Sequence, residues 1–159
     1  MPLEQRVKVL IKNLSSAGLS ISTAESCTGG GIAAAITSVS GSSAVFNGSV
    51  VAYSNRVKTE ILQVSGKTLL DFGAVSEEVV TEMAIGVAKL MRTEVAIATS
   101  GVAGPTGGTP SKPIGLVSFA IYKAGVVDTF TKTFSGDREN IQKKAISHAI
   151  EKITKAIQS

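Results

Sequence analysis

The chain holds one cysteine, one histidine and no tryptophan in 159 residues, and each scarcity excludes something. A lone thiol forms neither an intrachain disulfide nor a thiolate-rich metal site. A lone imidazole, His148, adds too few ligands to make a zinc centre. With five Phe and two Tyr, the core falls to Val, Ile, Leu and Ala. Basic residues exceed acidic ones only by 16 to 12. They are dispersed, with Lys143-Lys144 the one tight pair, inside a helical pattern. A clustered basic face with stacking aromatics is missing, so nucleic-acid binding is not expected, whereas a small anion suits the net charge of +4. No apolar run reaches the about 18 residues of a membrane span. The opening "MPLEQRVKVLIKNL" interleaves charges at helical spacing and does not read as a signal peptide. A soluble cytoplasmic protein is expected, with no membrane partner.

What is present is globular: 43% hydrophobic and 18% charged residues, enough for one domain spanning 1–159 with a sizeable core. Val7, Leu10, Ile11 and Leu14 recur at helical spacing before Gly18, predicting a helix over 3–17. "LSISTAE" reads as a short strand. Three glycines and "IAAAITSV" follow, a helix ending near Gly41 whose alanines suit close packing on a sheet. "GSVVAYS" (48–54) reads as a strand, after which Ser54 or Asn55 can cap a helix carrying Val57, Ile61, Leu62 and Val64 and ending before Gly66. Ser76 is the expected N-cap of the next helix, with Glu77 and Glu78 in its positive first turn. "EVAIATS" (94–100) has the near-continuous apolar pattern of a strand covered on both faces. "GLVSFAIYK" and "VVDTFTKTF" alternate on either side of Ala124-Gly125, as an antiparallel hairpin does. Asp137 can cap a last helix with Ile141, Ala145, Ala149, Ile153 and Ile157 as its buried stripe. Interleaved helices and strands followed by a hairpin predict an α/β fold, a three-layer α/β/α sandwich on a mixed sheet.

Four polar segments follow predicted strands: "ESCTGGG", "YSNRVK", "SGVAGPTGGTPSKP" and "SGDR". In open α/β sheets, ligands gather where such loops converge. The first runs into a glycine-rich helix start, which suits a phosphate or a developing oxyanion. It suits equally an ordinary capped turn held by Ser26 or Thr28. Lys58 is either a desolvated base for a serine nucleophile or a solvated helix residue. With His148 in a helical stripe away from the loops, a Ser-His-Asp triad is not expected. The 99–113 loop has no Gly-Lys-Ser/Thr sequence after its glycines, so it is no P-loop. Arg138, in the first turn of the last helix, calls for an anionic partner or an ion pair with Asp137 or Glu139. Cys27 is the rival nucleophile, since a helix terminus can lower a thiol's pKa. Adjacent residues of an extended segment face opposite ways, so only one of Ser26 and Cys27 is expected to face a site. Glu25 orients either the turn or a neighbouring cation.

Taken together and in order, "TAESCTGGGIAAAIT", "GSVVAYSNRVK", "GAVSEEVVTEMAIG", "SGVAGPTGG", "KPIGLVSFAI" and "FSGDRENIQKKA" resemble the CinA C-terminal domain family over about residues 5–155. The stand-alone members of that family are nicotinamide-nucleotide amidases. The resemblance implies hydrolysis of the carboxamide of nicotinamide mononucleotide to nicotinate mononucleotide and ammonia, in pyridine nucleotide recycling, with no metal or organic cofactor. Longer members, called competence- and damage-inducible, carry an extra N-terminal domain that is not expected here. Carried over by position, Ser26 is the nucleophile, Lys58 its general base, and Tyr53 assists protonation of the departing ammonia, though Lys58 and Tyr53 can exchange roles. Thr28, Gly29 and Gly30 are expected to offer amides to the oxyanion or phosphate. Ser100 and Gly101 are expected to line the pocket, and Arg138 to meet the phosphate. The "PSKP" stretch at 110–113 receives no role. A dimer or larger homo-oligomer is expected. Two rival readings stand beside the serine amidase: a non-catalytic nucleotide- or protein-binding module, and a cysteine hydrolase using Cys27, which would be sensitive to thiol alkylation.

Overall fold

In the computed structural model, which describes residues 1–158, five strands form one sheet. They are β1 (Ile21–Glu25), β2 (Phe46–Val51), β3 (Val95–Gly101), β4 (Leu116–Lys123) and β5 (Val126–Thr133), in the order β2-β1-β3-β4-β5. β1 pairs in parallel with β2 and β3, while β3–β4 and β4–β5 are antiparallel. The mixed sheet matches the sequence expectation. All of β1 is buried, because it has a strand on each side and helices above and below.

Alternation along the strands sorts the sheet into two unlike faces. Ile21, Val95, Ile97 and Phe119 pack with α1 (Leu3–Ala17), α2 (Gly31–Thr37) and α6 (Arg138–Gln158). The stripe Ile141, Ala145, Ala149, Ile153 and Ile157 is buried there as expected. The opposite face presents Ala24, Ala96, Ala98 and Ala120 to Val80, Met83, Ala84 and Val87 of α5 (Glu77–Met91). Small side chains on that face let α5 settle close to the sheet. None of the helices among the described residues is long and apolar enough to cross a membrane.

Local signals hold where the sequence placed them. Ser76 Oγ accepts the Val79 N–H at 3.2 Å, and Asp137 Oδ1 accepts the Asn140 N–H at 2.9 Å. The β4–β5 turn takes left-handed angles at Ala124 (φ 49°) and Gly125 (φ 90°), as a tight hairpin requires.

Three expectations are corrected. The strand expected over 48–54 ends at Val51, so Tyr53 lies beyond it. The helix expected to end near Gly41, α2, ends at Thr37; its Ile32 and Ile36 are buried, with Ala35 partly buried against the same cluster. The helix expected to run to Gly66 is α3 (Asn55–Glu60), which stops after one and a half turns because Leu62 and Val64 must turn inward beneath α5. Gly66, read as a stop, instead opens α4 (Gly66–Phe72), capped by Ser65 Oγ on the Lys67 N–H at 3.2 Å. α4 buries no residue, so it carries no apolar periodicity to find.

Because β1, β2 and β3 are parallel, their carboxyl ends share one edge of the sheet. Antiparallel β4 begins at that edge and β5 ends there. All four polar segments therefore meet at one end of the molecule.

At Gly86 on α5, a Cβ would sit 2.1 Å from the Leu62 carbonyl oxygen. Alanine is favoured over glycine in a helix by about 1 kcal/mol, but here the opposing atom is backbone. Gly86→Ala is expected to lower the unfolding free energy by about 1–3 kcal/mol, read as a lower urea midpoint. An unchanged or higher midpoint would show that the contact carries no such constraint.

Candidate active site

Ser26 is the first residue past β1, and its N–H donates to the Thr99 carbonyl at 3.1 Å, extending the β1–β3 ladder by one step. Its Oγ accepts a hydrogen bond from Lys58 Nζ at 3.2 Å. Lys58 comes from α3, whose start is fixed by Ser54 Oγ on the Val57 N–H at 3.2 Å, and it is 1% exposed. Nζ also donates to the Tyr53 carbonyl at 3.2 Å. Burial holds the Lys58 amine below its ordinary value of 10.5, with the nearby Cys27 thiol opposing the shift. An amine depressed in this way can receive the Ser26 proton.

The turn after Ser26 is organised by Glu25, which is fully buried. Its carboxylate accepts from the Thr23 hydroxyl at 3.1 Å, the Thr28 hydroxyl at 2.7 Å, and the Ile32 and Ala33 N–H groups at 2.8 and 2.9 Å. Glu25 thus does for α2 what an N-cap side chain ordinarily does, from beyond the turn. Thr28 also joins its hydroxyl to that of Thr99 at 2.9 Å. The Gly29 N–H donates to the Ser26 carbonyl at 3.0 Å and the Gly31 N–H to that of Thr28 at 2.9 Å.

A cavity of about 300 Å³ opens above this turn, and Ser26, Tyr53, Lys58, Ser100, Gly101 and Arg138 all line it. Thr28, Gly29 and Gly30 do not. The volume lies at the lower end of the range for small-molecule sites. Arg138 forms neither of the ion pairs considered from sequence. Its guanidinium donates to the Gly104 carbonyl and to the Tyr53 hydroxyl, both at 2.8 Å. The Tyr53 phenol therefore engages Arg138, and it is the Tyr53 carbonyl that touches Lys58.

Asn55, Ala74, Val75 and Thr106 also line the cavity and were not found from sequence. Asn55 lay within "YSNRVK" and Thr106 within "SGVAGPTGG", so both were inside singled-out motifs. Ala74 and Val75 lie within "GAVSEEVVTEMAIG", but their side chains carry no chemical signal. Lys112 of "PSKP" donates to the Phe72 carbonyl, tying the long loop to the end of α4. His148 stands apart, packed among Phe119, Phe130 and Phe134. Among the described residues, no three His, Cys, Asp or Glu side chains gather as a metal would need.

Cys27 borders the same cavity, but burial pushes its thiol up from 9.0 to about 12, although its own backbone hydrogen bond opposes that. A shift of that size cuts the thiolate fraction at neutral pH about a thousandfold. Iodoacetamide is therefore expected to modify the native chain about a thousandfold more slowly than the urea-unfolded chain. Comparable rates would reveal an accessible thiolate and return Cys27 to contention as a nucleophile.

Comparison with known proteins finds relatives along nearly the whole chain. The CinA C-terminal domain model matches residues 3–157. A CinA-like protein of Kosmotoga olearia is 44% identical over 97% of this chain, but the match spans only 37% of that relative's length. An Escherichia coli (strain K12) protein named nicotinamide-nucleotide amidohydrolase PncC is 45% identical over 95% of this chain and 90% of its own. The crystal structure of a CinA superfamily protein from Klebsiella pneumoniae superposes with a TM-score of 0.96 at 35% identity, covering 99% of both chains. A family match over nearly every residue, with a sheet and helices that superpose throughout, makes this chain a member of the CinA C-terminal domain family.

Proposed function

We propose that the chain is a serine amidohydrolase that converts nicotinamide mononucleotide to nicotinate mononucleotide and ammonia in the cytoplasm. The observation that carries the reading is Lys58 Nζ, buried and 3.2 Å from Ser26 Oγ. The substrate follows from the amidohydrolase relative matched over 90% of its length.

Lys58, as the neutral amine, takes the Ser26 proton while Oγ bonds to the carboxamide carbon. The C–N bond then breaks and ammonia departs with a returned proton, Tyr53 assisting. Water attacks the resulting ester, gives a proton to Lys58 and releases the carboxylate as Ser26 Oγ recovers its hydrogen. Ser100 and Gly101 wall the cavity. A guanidinium has five N–H donors, and the contacts to Gly104 and Tyr53 leave Arg138 others with which to hold the substrate phosphate. Thr28, Gly29 and Gly30 shape the turn that presents Ser26.

Purified protein incubated with nicotinamide mononucleotide is expected to release ammonia. Ser26→Ala and Lys58→Ala should each lower kcat about a thousandfold or more, while Cys27→Ala keeps most of the rate. Absence of ammonia from the wild type would sink the reading and leave a binding module. A dead Cys27→Ala beside an active Ser26→Ala would transfer the role to the thiol.

The pH profile is a separate check. Only the deprotonated Lys58 accepts the serine proton, so kcat/KM should rise with pH through the Lys58 pKa and level off above it. Because burial depresses that pKa, the rise should fall below the ordinary lysine value of 10.5. A rise centred at the ordinary value would contradict Lys58 as base.

A further inference from the structure

We propose that a second cavity, formed by α1, the end of β5 and the middle of α6, binds a phosphate-bearing anion. It is an open depression of about 460 Å³, with Lys132 and Lys144 exposed at its surface, and it shares no lining residue with the Ser26 cavity, so the proposal is independent of the amidase reading. Arg6, Lys132, Lys144 and His148 line it, with Phe134 as an apolar wall and Glu151 as the one carboxylate.

That carboxylate is already engaged, 3.3 Å from both Arg6 and Lys155. Among the described residues, no carboxylate lies within ion-pair distance of Lys132 or Lys144. Lys144 is steadied instead by neutral oxygen, donating to the Ser135 carbonyl at 2.6 Å and to its hydroxyl at 3.4 Å. Lys132 sits 5.6 Å from the centre of the Phe134 ring. Two ammonium groups thus border the cavity without an anion of their own. The Ser147 hydroxyl, which accepts from Arg6 at 3.4 Å, adds a neutral polar group to the wall.

His148 supplies the third element. Its ring lies against Phe119, Phe130 and Phe134, with centroids at 5.3, 5.6 and 5.7 Å, which fixes the imidazole in the wall. Desolvation holds its pKa below 6.5, and Lys132 of β5 with Lys152 and Lys155 of α6 push the same way, against Glu151. Arg6 of α1 and Lys144 of α6 are the other charged groups lining its cavity. The imidazole is therefore neutral at physiological pH. A phosphate dianion would accept charge-assisted hydrogen bonds from Lys132 and Lys144 and offset the lysine repulsion that adds to desolvation in disfavouring charge on His148. By linkage, occupancy raises the His148 pKa, and affinity improves as the pH falls.

Since His148 is the only histidine, its side-chain resonances in the full-length ¹⁵N-labelled chain report on this cavity alone. Inorganic phosphate, adenosine monophosphate and sulfate are the probes. Each should shift those resonances saturably and raise the midpoint of the His148 titration by about half a pH unit or more. Sulfate, whose charge is constant across the range, should bind about threefold or more tightly at about pH 6 than at about pH 8. Lys132→Gln and Lys144→Gln should each weaken phosphate binding about threefold or more, with backbone resonances and any ammonia release unaltered. Tighter binding of the nucleotide than of inorganic phosphate would support the site with a nucleotide as its occupant; equal binding would support it with free phosphate. His148 resonances unmoved at about 10 mM probe, or shifts unaltered in both variants, would overturn the proposal.

Discussion

The buried carboxylate of Glu25 is the constraint on which the site depends. A carboxyl group taken fully out of water must have its lone pairs filled, and neutral donors fill them here. The donors are the Thr23 and Thr28 hydroxyls and two main-chain amides of α2. Strand end, turn and helix start are consequently one hydrogen-bonded unit. Its link through Thr28 to Thr99 fastens the turn to the neighbouring strand as well. Ser26 stands on that unit, and its hydroxyl is presented from a rigid support rather than a mobile loop. The amides at the start of α2 that would otherwise attract an anion serve this internal anion instead.

The same loss of water acts oppositely on the two titratable groups beside Ser26. It disfavours charge on whichever form carries it: the Cys27 thiol stays protonated and the Lys58 amine tends to stay unprotonated. One environment therefore disfavours the Cys27 thiolate and favours the neutral Lys58 amine that the proposed mechanism needs beside Ser26. Adjacent in sequence, Ser26 and Cys27 differ in what touches them, since only the hydroxyl meets Nζ. Under the proposed mechanism, that contact takes the place of the imidazole that the cavity lining lacks.

The elements most legible in the sequence were those whose cause is local. The stripe from Ile141 to Ile157, the caps at Ser76 and Asp137 and the Ala124-Gly125 turn each follow from a handful of consecutive residues. α3 was misjudged because its end is decided by α5, which draws Leu62 and Val64 inward from a distant part of the chain. α4 escaped because nothing in it is buried. In the cavity, the residues with reactive side chains were identifiable and those that only shape it were not. Glu25 stood between two roles because its amide partners lie across a turn of glycines, and a sequence pattern does not say which way such a turn folds. Tyr53 was recognised for its phenol, yet its main-chain carbonyl is the group that steadies Lys58. Main-chain contributions of that kind leave no trace in residue identity.

The close approach at Gly86 has a consequence for how this molecule can diversify. It holds the exit from α3 against α5, so Lys58, like Ser26 at the end of a central strand, is referenced to the interior. By contrast, residues 105–111 are exposed, and Thr106 and Gly107 among them border the cavity. The Ser26–Lys58 contact is thus buried, whereas that part of the cavity wall is exposed. Gly107 (φ 92°) and Gly108, whose Cβ would lie 2.9 Å from Ile114, are constrained, so Thr106 is the exposed side chain through which this wall can change without touching the Ser26–Lys58 contact. The residue that permits that close approach is Gly86, which has no side chain and does not line the cavity.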